Sequence, residues 1–158
     1  MPKSPSLKQR INAGEIITIA SVSMDATPEE LERVAAECDM FSVDSQHSAL
    51  SEEKLVAFCA GAEVVDMPVQ FRIQHTRHAY LIGRYLDLGV TAIMVPEVRE
   101  EATVDEAMRF FYYPQKGKRS WGARRVEALP SVRTASNTPH GGTTTACCAS
   151  SSNRSMPW

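Results

Sequence analysis

The sequence has no long apolar run and no regular arrangement of cysteines. No stretch approaches the roughly 18–20 apolar residues that a membrane span needs, and Met1 to Arg10 lacks the apolar core of a secretory signal. The cysteines, Cys38, Cys59, Cys147 and Cys148, include no Cys-x-x-Cys pair and no zinc-like spacing. These absences disfavour a membrane protein, a disulfide framework and a structural zinc site, and we expect a cytoplasmic protein.

The charge balance gives no basic field for a nucleic acid. Residues 1–130 hold all 19 acidic residues but only 15 of the 17 Lys and Arg, so they carry a net charge of about −4. Nucleic-acid binding is therefore disfavoured. A chain of 158 residues with 43% hydrophobic residues is long and apolar enough for one domain with a core.

The end of the chain lacks most of what a folded core requires. After Pro130 there is no Asp, Glu, Lys, Leu, Ile or Phe, and 11 of the 28 residues that follow are Ser or Thr. Such a segment buries too little apolar surface to offset its ordering entropy. We therefore expect residues 127–158 to form a low-complexity, disordered tail.

The rest of the chain repeats one pattern four times, an apolar run followed by a helix. Thr27-Pro28 and Ser51 start helices as N-caps, and Gly89 ends one. The predicted strands cover residues 16–21, 39–44, 68–73 and 91–95, and the predicted helices cover about 27–37, 51 onwards, 77–88 and 100–111. Alternating strands and helices predict an α/β fold with a parallel sheet, either doubly wound or part of a (β/α) barrel.

Polar side chains stand where the predicted strands end. Asp44 ends the second strand and His47 follows it, Arg72 lies near the end of the third, and Glu97 follows the fourth. In both candidate folds, the chemistry gathers at the carboxyl ends of the strands. A carboxylate there can orient a histidine and tune its basicity, so Asp44 and His47 are candidates for moving a proton at neutral pH.

The order of these motifs resembles the HpcH/HpaI aldolases, metal-dependent pyruvate aldolases related to macrophomate synthase. The motifs are Asp44-x-x-His47, a strand with Arg72, a Gly-Val-Thr-Ala-Ile-Met-Val-Pro run at 89–96, and Tyr113-Pro114-x-x-Gly117-x-Arg119-x-x-Gly122. The similarity covers residues 7–126. It implies that residues 1–126 form the N-terminal half of a TIM (β/α)8 barrel.

The resemblance also implies a chemistry and a set of roles. Members cleave a 4-hydroxy-2-oxo acid reversibly to pyruvate and an aldehyde with a divalent cation, Mg2+, Mn2+ or Co2+, and full-length members are expected to be homo-oligomers. His47 would be the acid/base group, Asp44 its orienting partner, and Arg72 the keto-acid ligand. The family usually has Gly-Glu where this chain has Ser45-Gln46.

The metal side of the site is the larger departure from the family. The family's two metal-binding carboxylates lie beyond the Tyr-Pro-x-x-Gly-x-Arg loop, where this sequence has no acidic residue after Pro130. We therefore expect no metal ligands and little or no aldolase activity from this chain. The alternative is a non-catalytic barrel fragment that only folds or self-associates.

The abrupt change of composition suggests a cause at the level of the gene. Read one base earlier, degenerate codons for residues 141–146 permit Trp-Trp-Asn-Asn-Asn-Gly. One hypothesis is that the last 30 or so residues are a frameshifted translation, and the other is a natural disordered tail. Sequencing the coding DNA separates them, since the frameshift requires aldolase-like strands with an acidic residue in the alternative frame.

Three other features have weaker functional interpretations. His75 and His78 flank a strand-to-helix turn, where a solvated loop is favoured over an anion site. We interpret Glu97 as a residue at the rim of the site, where the fourth strand ends, rather than as a metal ligand. A basic cluster, consisting of Lys116, Lys118, Arg119, Arg124 and Arg125, is expected in a loop over the rim of the site.

Overall fold

The computed structural model describes residues 6–121 and the backbone of a short strand at 145–146. Within these residues, strands and helices alternate along the chain. The elements are α1 (Leu7–Asn12), β1 (Ile19–Ser21), α2 (Pro28–Ala35), β2 (Met40–Asp44), α3 (Glu52–Val64), β3 (Val69–Arg72), a 3-10 helix (Thr76–Leu81), α4 (Ile82–Asp87), β4 (Ala92–Met94), α5 (Glu101–Phe111) and β5 (Thr145–Ala146). The predicted tail, apart from β5, lies outside the described residues.

The strands form one parallel sheet in the order β1-β2-β3-β4-β5. Each strand therefore pairs with the next strand along the chain. A doubly wound sheet reverses its strand order at a switch point, whereas a (β/α) barrel adds its strands consecutively. The prediction of parallel β-α units is confirmed, and the strand order favours the barrel.

The two faces of the sheet differ in chemistry. One face carries Phe41 and Val43 from β2 and Phe71 from β3, which are buried in the core with helix residues such as Leu55 and Tyr85. Because side chains alternate along a strand, the opposite face carries the residues between them. Towards the carboxyl ends of β2 and β3 those residues are polar, namely Ser42, Asp44, Gln70 and Arg72, while Met40 at the start of β2 is apolar and buried.

Predicted capping residues start two of the helices. The Thr27 hydroxyl accepts a hydrogen bond from the Glu30 N–H, and the Glu30 carboxylate accepts one from the Thr27 N–H at 2.8 Å. This reciprocal pair is a capping box. The Ser51 hydroxyl caps α3 by accepting a hydrogen bond from the Lys54 N–H, without a reciprocal bond.

The sequence reading missed the first helix. α1 has its own capping box between Ser6 and Gln9. Its Arg10 pairs with Asp39 at 2.8 Å, and the Asp39 carboxylate also accepts from the Thr18 N–H at 2.9 Å. The first strand is also shorter than predicted, because Ile16 lies outside it and is 87% exposed.

The predicted helix at 77–88 begins as a 3-10 helix. His75 precedes it, and its Nδ1 accepts from the Arg77 N–H at 3.0 Å while its carbonyl accepts from the His78 N–H. These local bonds close tight turns before the chain relaxes into α4. Gly89 ends the helix as predicted, with a left-handed φ of +111°, and a Cβ there would meet Cys59 at 2.8 Å.

No helix in the part of the chain described here has the length and apolarity to cross a lipid bilayer. The longest, α3, has 13 residues.

Candidate active site at the carboxyl end of the sheet

The sheet brings Asp44 and Arg72 together at the ends of β2 and β3. The two residues are direct partners in the parallel register. Both side chains lie on the polar face of the sheet, at the edge to which the carboxyl ends of the strands point. The sequence prediction that these residues share one rim is therefore confirmed by their contact.

The Asp44 carboxylate and the Arg72 guanidinium form a bidentate ion pair. Arg72 Nε donates to Asp44 Oδ1 at 2.8 Å, and Arg72 Nη2 donates to Asp44 Oδ2. The side chains are 27% and 29% exposed, so the pair is open to a ligand from solvent. Two parallel N–H···O bonds fix the plane of the guanidinium as well as its position.

The same carboxylate also organises the turn that follows β2. Asp44 Oδ1 accepts the Gln46 N–H at 2.8 Å, and the carboxylate receives a further bond from the His47 N–H. The Arg72 hydrogen bonds are the largest cause that lowers the pKa of Asp44 to about 2. Asp44 is thus ionised at neutral pH and acts as an acceptor only.

His47 lies on the surface three residues after Asp44. Its imidazole is exposed and makes no hydrogen bond to any residue in 6–121. Asp44 contacts the backbone N–H of His47, and its carboxylate oxygens are otherwise taken up by Arg72 and Gln46. The acid/base role of His47 and its orientation by Asp44 stay predictions. The contact between the two residues is made by the His47 main chain and not by its ring.

Two residues that the sequence reading treated as departures hold this turn in place. The Ser45 hydroxyl donates to the Arg72 carbonyl at 2.6 Å. Gln46 Nε2 donates to Glu97 Oε1 at 3.0 Å, which links the turn after β2 to the turn after β4. Glu97 has a left-handed φ of +51°, a conformation that is uncommon outside glycine.

A cavity of about 560 Å³ adjoins this turn on the side of β4. Gln46 and Glu97 form one wall, and the 3-10 helix and the start of α5 form the others. The lining contains side chains of both signs, namely Arg77, Arg99, Glu97, Glu100 and Glu106, with His75, Thr76, Thr103, Gln46 and Pro96. Mixed charge on an open surface does not define one class of ligand.

Comparison with known proteins shows which solved structures this chain resembles. No protein-family model and no curated protein matches the sequence. Among solved structures, an HpcH/HpaI aldolase from Desulfitobacterium hafniense DCB-2 is 26% identical with a TM-score of 0.64, over 80% of this chain and 49% of that one. The resemblance to the HpcH/HpaI aldolases that the sequence motifs predict is therefore confirmed.

Two further solved structures resemble this chain. The citrate synthase SbnG is 28% identical with a TM-score of 0.64, over 73% of this chain and 47% of that one. Macrophomate synthase is 20% identical with a TM-score of 0.64, over 90% of this chain and 50% of that one. At this identity the likeness supports the fold alone. The chain spans about half the length of these proteins, and its fold is half of a TIM barrel.

The aldolase-like half-barrel does not by itself supply a metal site. Among residues 6–121, no three His, Cys, Asp or Glu side chains lie close enough together to hold a metal ion. Asp44 is bound to Arg72, and it contacts His47 through the main-chain N–H rather than through the imidazole. The described residues therefore do not fit the divalent cation that the family resemblance implies, and that cation stays a prediction.

The Tyr-Pro-x-x-Gly-x-Arg motif of this chain packs the end of α5 against α4. Arg119 is only 9% exposed, pairs with Asp87 at 2.5 Å and lies 4.6 Å from the centre of the Tyr113 ring. A Cβ at Gly117 would collide with the carbonyls of Tyr112 and Arg109. Arg119 thus differs from the exposed Lys116 and Lys118 of the basic cluster, whose Arg124 and Arg125 lie outside the described residues.

Proposed function

We propose that this chain carries the keto-acid-binding and proton-transfer side of an aldolase site. The reaction class is the reversible cleavage of a 4-hydroxy-2-oxo acid to pyruvate and an aldehyde. The observation that carries the proposal is the Asp44–Arg72 pair, a guanidinium held in a fixed plane at the open carboxyl end of the sheet. The family relationship supports the carbon-carbon chemistry.

Arg72 is suited to bind the keto acid because it keeps donors in reserve. A guanidinium has five N–H groups in a fixed fork. Nε and Nη2 donate to Asp44, which leaves the Nη1 donors for a ligand oxygen. A fixed cation beside the keto oxygen stabilises the negative charge that develops there as the carbon-carbon bond breaks.

His47 is the candidate for the proton transfers. In the cleavage direction, a base removes the proton of the C4 hydroxyl, the C3–C4 bond breaks, and its electron pair forms the enolate of pyruvate. The protonated base then returns the proton to C3. An exposed imidazole on the same turn as Asp44 can serve both steps, since histidine exchanges a proton near neutral pH.

Titration calorimetry with pyruvate tests the binding half of this proposal. Arg72→Gln removes the charge, and we expect it to weaken pyruvate binding about tenfold or more, as loss of a charged hydrogen-bonding partner does. Arg33→Gln is the matched control, because Arg33 is exposed on α2 and is not a partner of Asp44 or Arg72. Equal binding by the two variants would contradict the proposal.

A coupled assay for pyruvate release tests the catalytic half. We predict little turnover from this chain with Mg2+ or Mn2+ present. If turnover occurs and vanishes in His47→Ala, His47 is the acid/base group and the prediction of low activity is wrong. Turnover that is unchanged in His47→Ala would remove His47 from the mechanism.

A second candidate function is a non-catalytic half-barrel that self-associates. β1 pairs only with β2 among the described strands, and its Ile19 is 46% exposed. Strand edges with exposed apolar residues are sites of association. Sedimentation of the chain and of Ile19→Lys tests this candidate, which requires the assembly to be lost in the variant. A homo-oligomer, which the family resemblance implies, stays a proposal in either case.

A further inference from the structure

Ser45 makes two contacts to one backbone carbonyl of Arg72. Its N–H donates to the Arg72 oxygen at 3.1 Å, in continuation of the parallel ladder, and its hydroxyl donates to the same oxygen at 2.6 Å. The residue is 2% exposed. Both lone pairs of that carbonyl are therefore occupied by a single residue at the end of β2.

Arg72 is thus held at two points by consecutive residues. Asp44 holds the guanidinium, and Ser45 holds the main chain from which that side chain projects. The Ile73 N–H, which donates to Met94 at 3.1 Å, ties the next residue to β4. A small shift of the Arg72 main chain would move the guanidinium by a larger distance, because the side chain acts as a long lever.

We propose that Ser45 is a positioning residue for Arg72. Its hydroxyl fixes the end of β3 so that the Arg72 fork meets both oxygens of Asp44 and presents its remaining N–H groups to the ligand. Glycine has no side chain to make the second contact, so the serine adds a constraint that the Gly-Glu sequence common in the family does not have. The ligand-binding part of this inference rests on the proposed function, while the positioning part does not.

Exchange of the Arg72 Nε–H with water, followed by 15N-resolved NMR on the full chain, measures the positioning directly. That proton is shielded while Arg72 Nε donates to Asp44. We expect Ser45→Ala to speed its exchange about fivefold, the factor that corresponds to losing one hydrogen bond of about 1 kcal/mol. Pyruvate binding, measured by calorimetry, should weaken by a similar factor.

Ser48→Ala is the matched control. Ser48 lies on the same turn, and its hydroxyl also donates to a backbone carbonyl, that of Asp44, but the residue is exposed. We expect this variant to change both measurements less than about twofold. A merely local role of serine hydroxyls in the turn would move both variants equally.

A conservative variant covers the case in which Ser45→Ala does not fold. Ser45→Cys keeps the size of the side chain with a weaker donor, so exchange should lie between that of the wild type and Ser45→Ala. Wild-type exchange in every folded Ser45 variant would overturn the inference. If the wild type does not bind pyruvate, the proposed function fails, and the Arg72 exchange rates still decide the role of Ser45.

Discussion

An aspartate in an ion pair lies at each end of β2, Asp39 directly before the strand and Asp44 as its last residue, and the two differ in their surroundings. At the amino end, Asp39 accepts from the Thr18 N–H and hydroxyl and from Arg10. At the carboxyl end, Asp44 accepts from both sides of the Arg72 fork. The pKa of each carboxyl is lowered to about 2, Asp39 chiefly by the Thr18 backbone and Asp44 chiefly by Arg72.

This comparison shows that a lowered pKa does not by itself identify a functional carboxylate. Asp39 joins α1 to the start of the sheet, which is a structural task. Asp44 lies at the end of the sheet where this fold class gathers its chemistry, beside an exposed histidine. Asp39 and Asp44 are therefore distinguished by their positions in the fold and by the partners that they bind.

The largest expected effect is a loss of stability of the whole sheet, which would disrupt the sites of Asp39 and Asp44 together. Phe71 is fully buried, with its ring 4.7 Å from that of Tyr85, and it precedes Arg72 on the opposite face of β3. Phe71→Ala should lower the free energy of unfolding by about 3–5 kcal/mol, because it leaves a cavity in the core. Urea unfolding measures this loss, and a loss below about 1 kcal/mol would contradict the packing described.

The next prediction separates the two carboxylates by function. Asp44→Asn should weaken pyruvate binding about tenfold, since the Arg72 fork loses its charged partner and its fixed plane. Asp39→Asn should lower the melting temperature and leave pyruvate binding unchanged. Calorimetric titration and thermal unfolding of both variants check this. Equal losses of pyruvate binding would contradict the claim that only Asp44 serves the ligand site.

The third prediction concerns acid. Both aspartates have a folded-state pKa of about 2, below the ordinary value of 3.8. Their stabilising effect is therefore fully present above about pH 4 and is lost as the pH falls towards 2. Urea unfolding between pH 2 and 7 should show a smaller fall for Asp39→Asn and Asp44→Asn than for the wild type. Identical slopes would show that these carboxyls keep the same pKa on unfolding.

The smallest expected effect lies at the rim of the site. Gln46→Glu would place a carboxylate against Glu97, whose oxygen now accepts from Gln46 at 3.0 Å. We expect a loss of less than about 1 kcal/mol, because both side chains reach solvent. High salt should recover part of it. Gln46→Met is the control, since it removes the hydrogen bond without adding a charge.

The sequence was sufficient for the parts of the fold that depend on local chemistry. Thr27, Ser51 and Gly89 mark helix ends through short-range bonds, and the structure confirms them. The Ser6–Gln9 capping box carries the same signal for α1, but it precedes no long apolar run and was overlooked. The prediction of one continuous helix over 77–88 was wrong, because the segment begins as a 3-10 helix. The bond from the Arg77 N–H to the His75 ring lies at its start, and the residue types alone did not indicate it.

The site required information that a single sequence does not contain. Asp44 and Arg72 are 28 residues apart, and only the register of β2 and β3 makes them partners. The same register brings the Ser45 hydroxyl to the Arg72 carbonyl. The sequence identified Asp44 and Arg72 as residues of one rim, but it gave no signal that the Asp44 carboxylate would hold Arg72 rather than the His47 ring.

The consecutive order of the strands also has a consequence for the timing of folding during synthesis. Each strand pairs with the one made just before it, so the contacts stay short in sequence and can form as the chain emerges. The Asp44–Arg72 pair needs only β2 and β3. We therefore expect it to form before β4 leaves the ribosome, and protection of the Arg72 main chain in stalled chains long enough to expose β3 but not β4 would test this order.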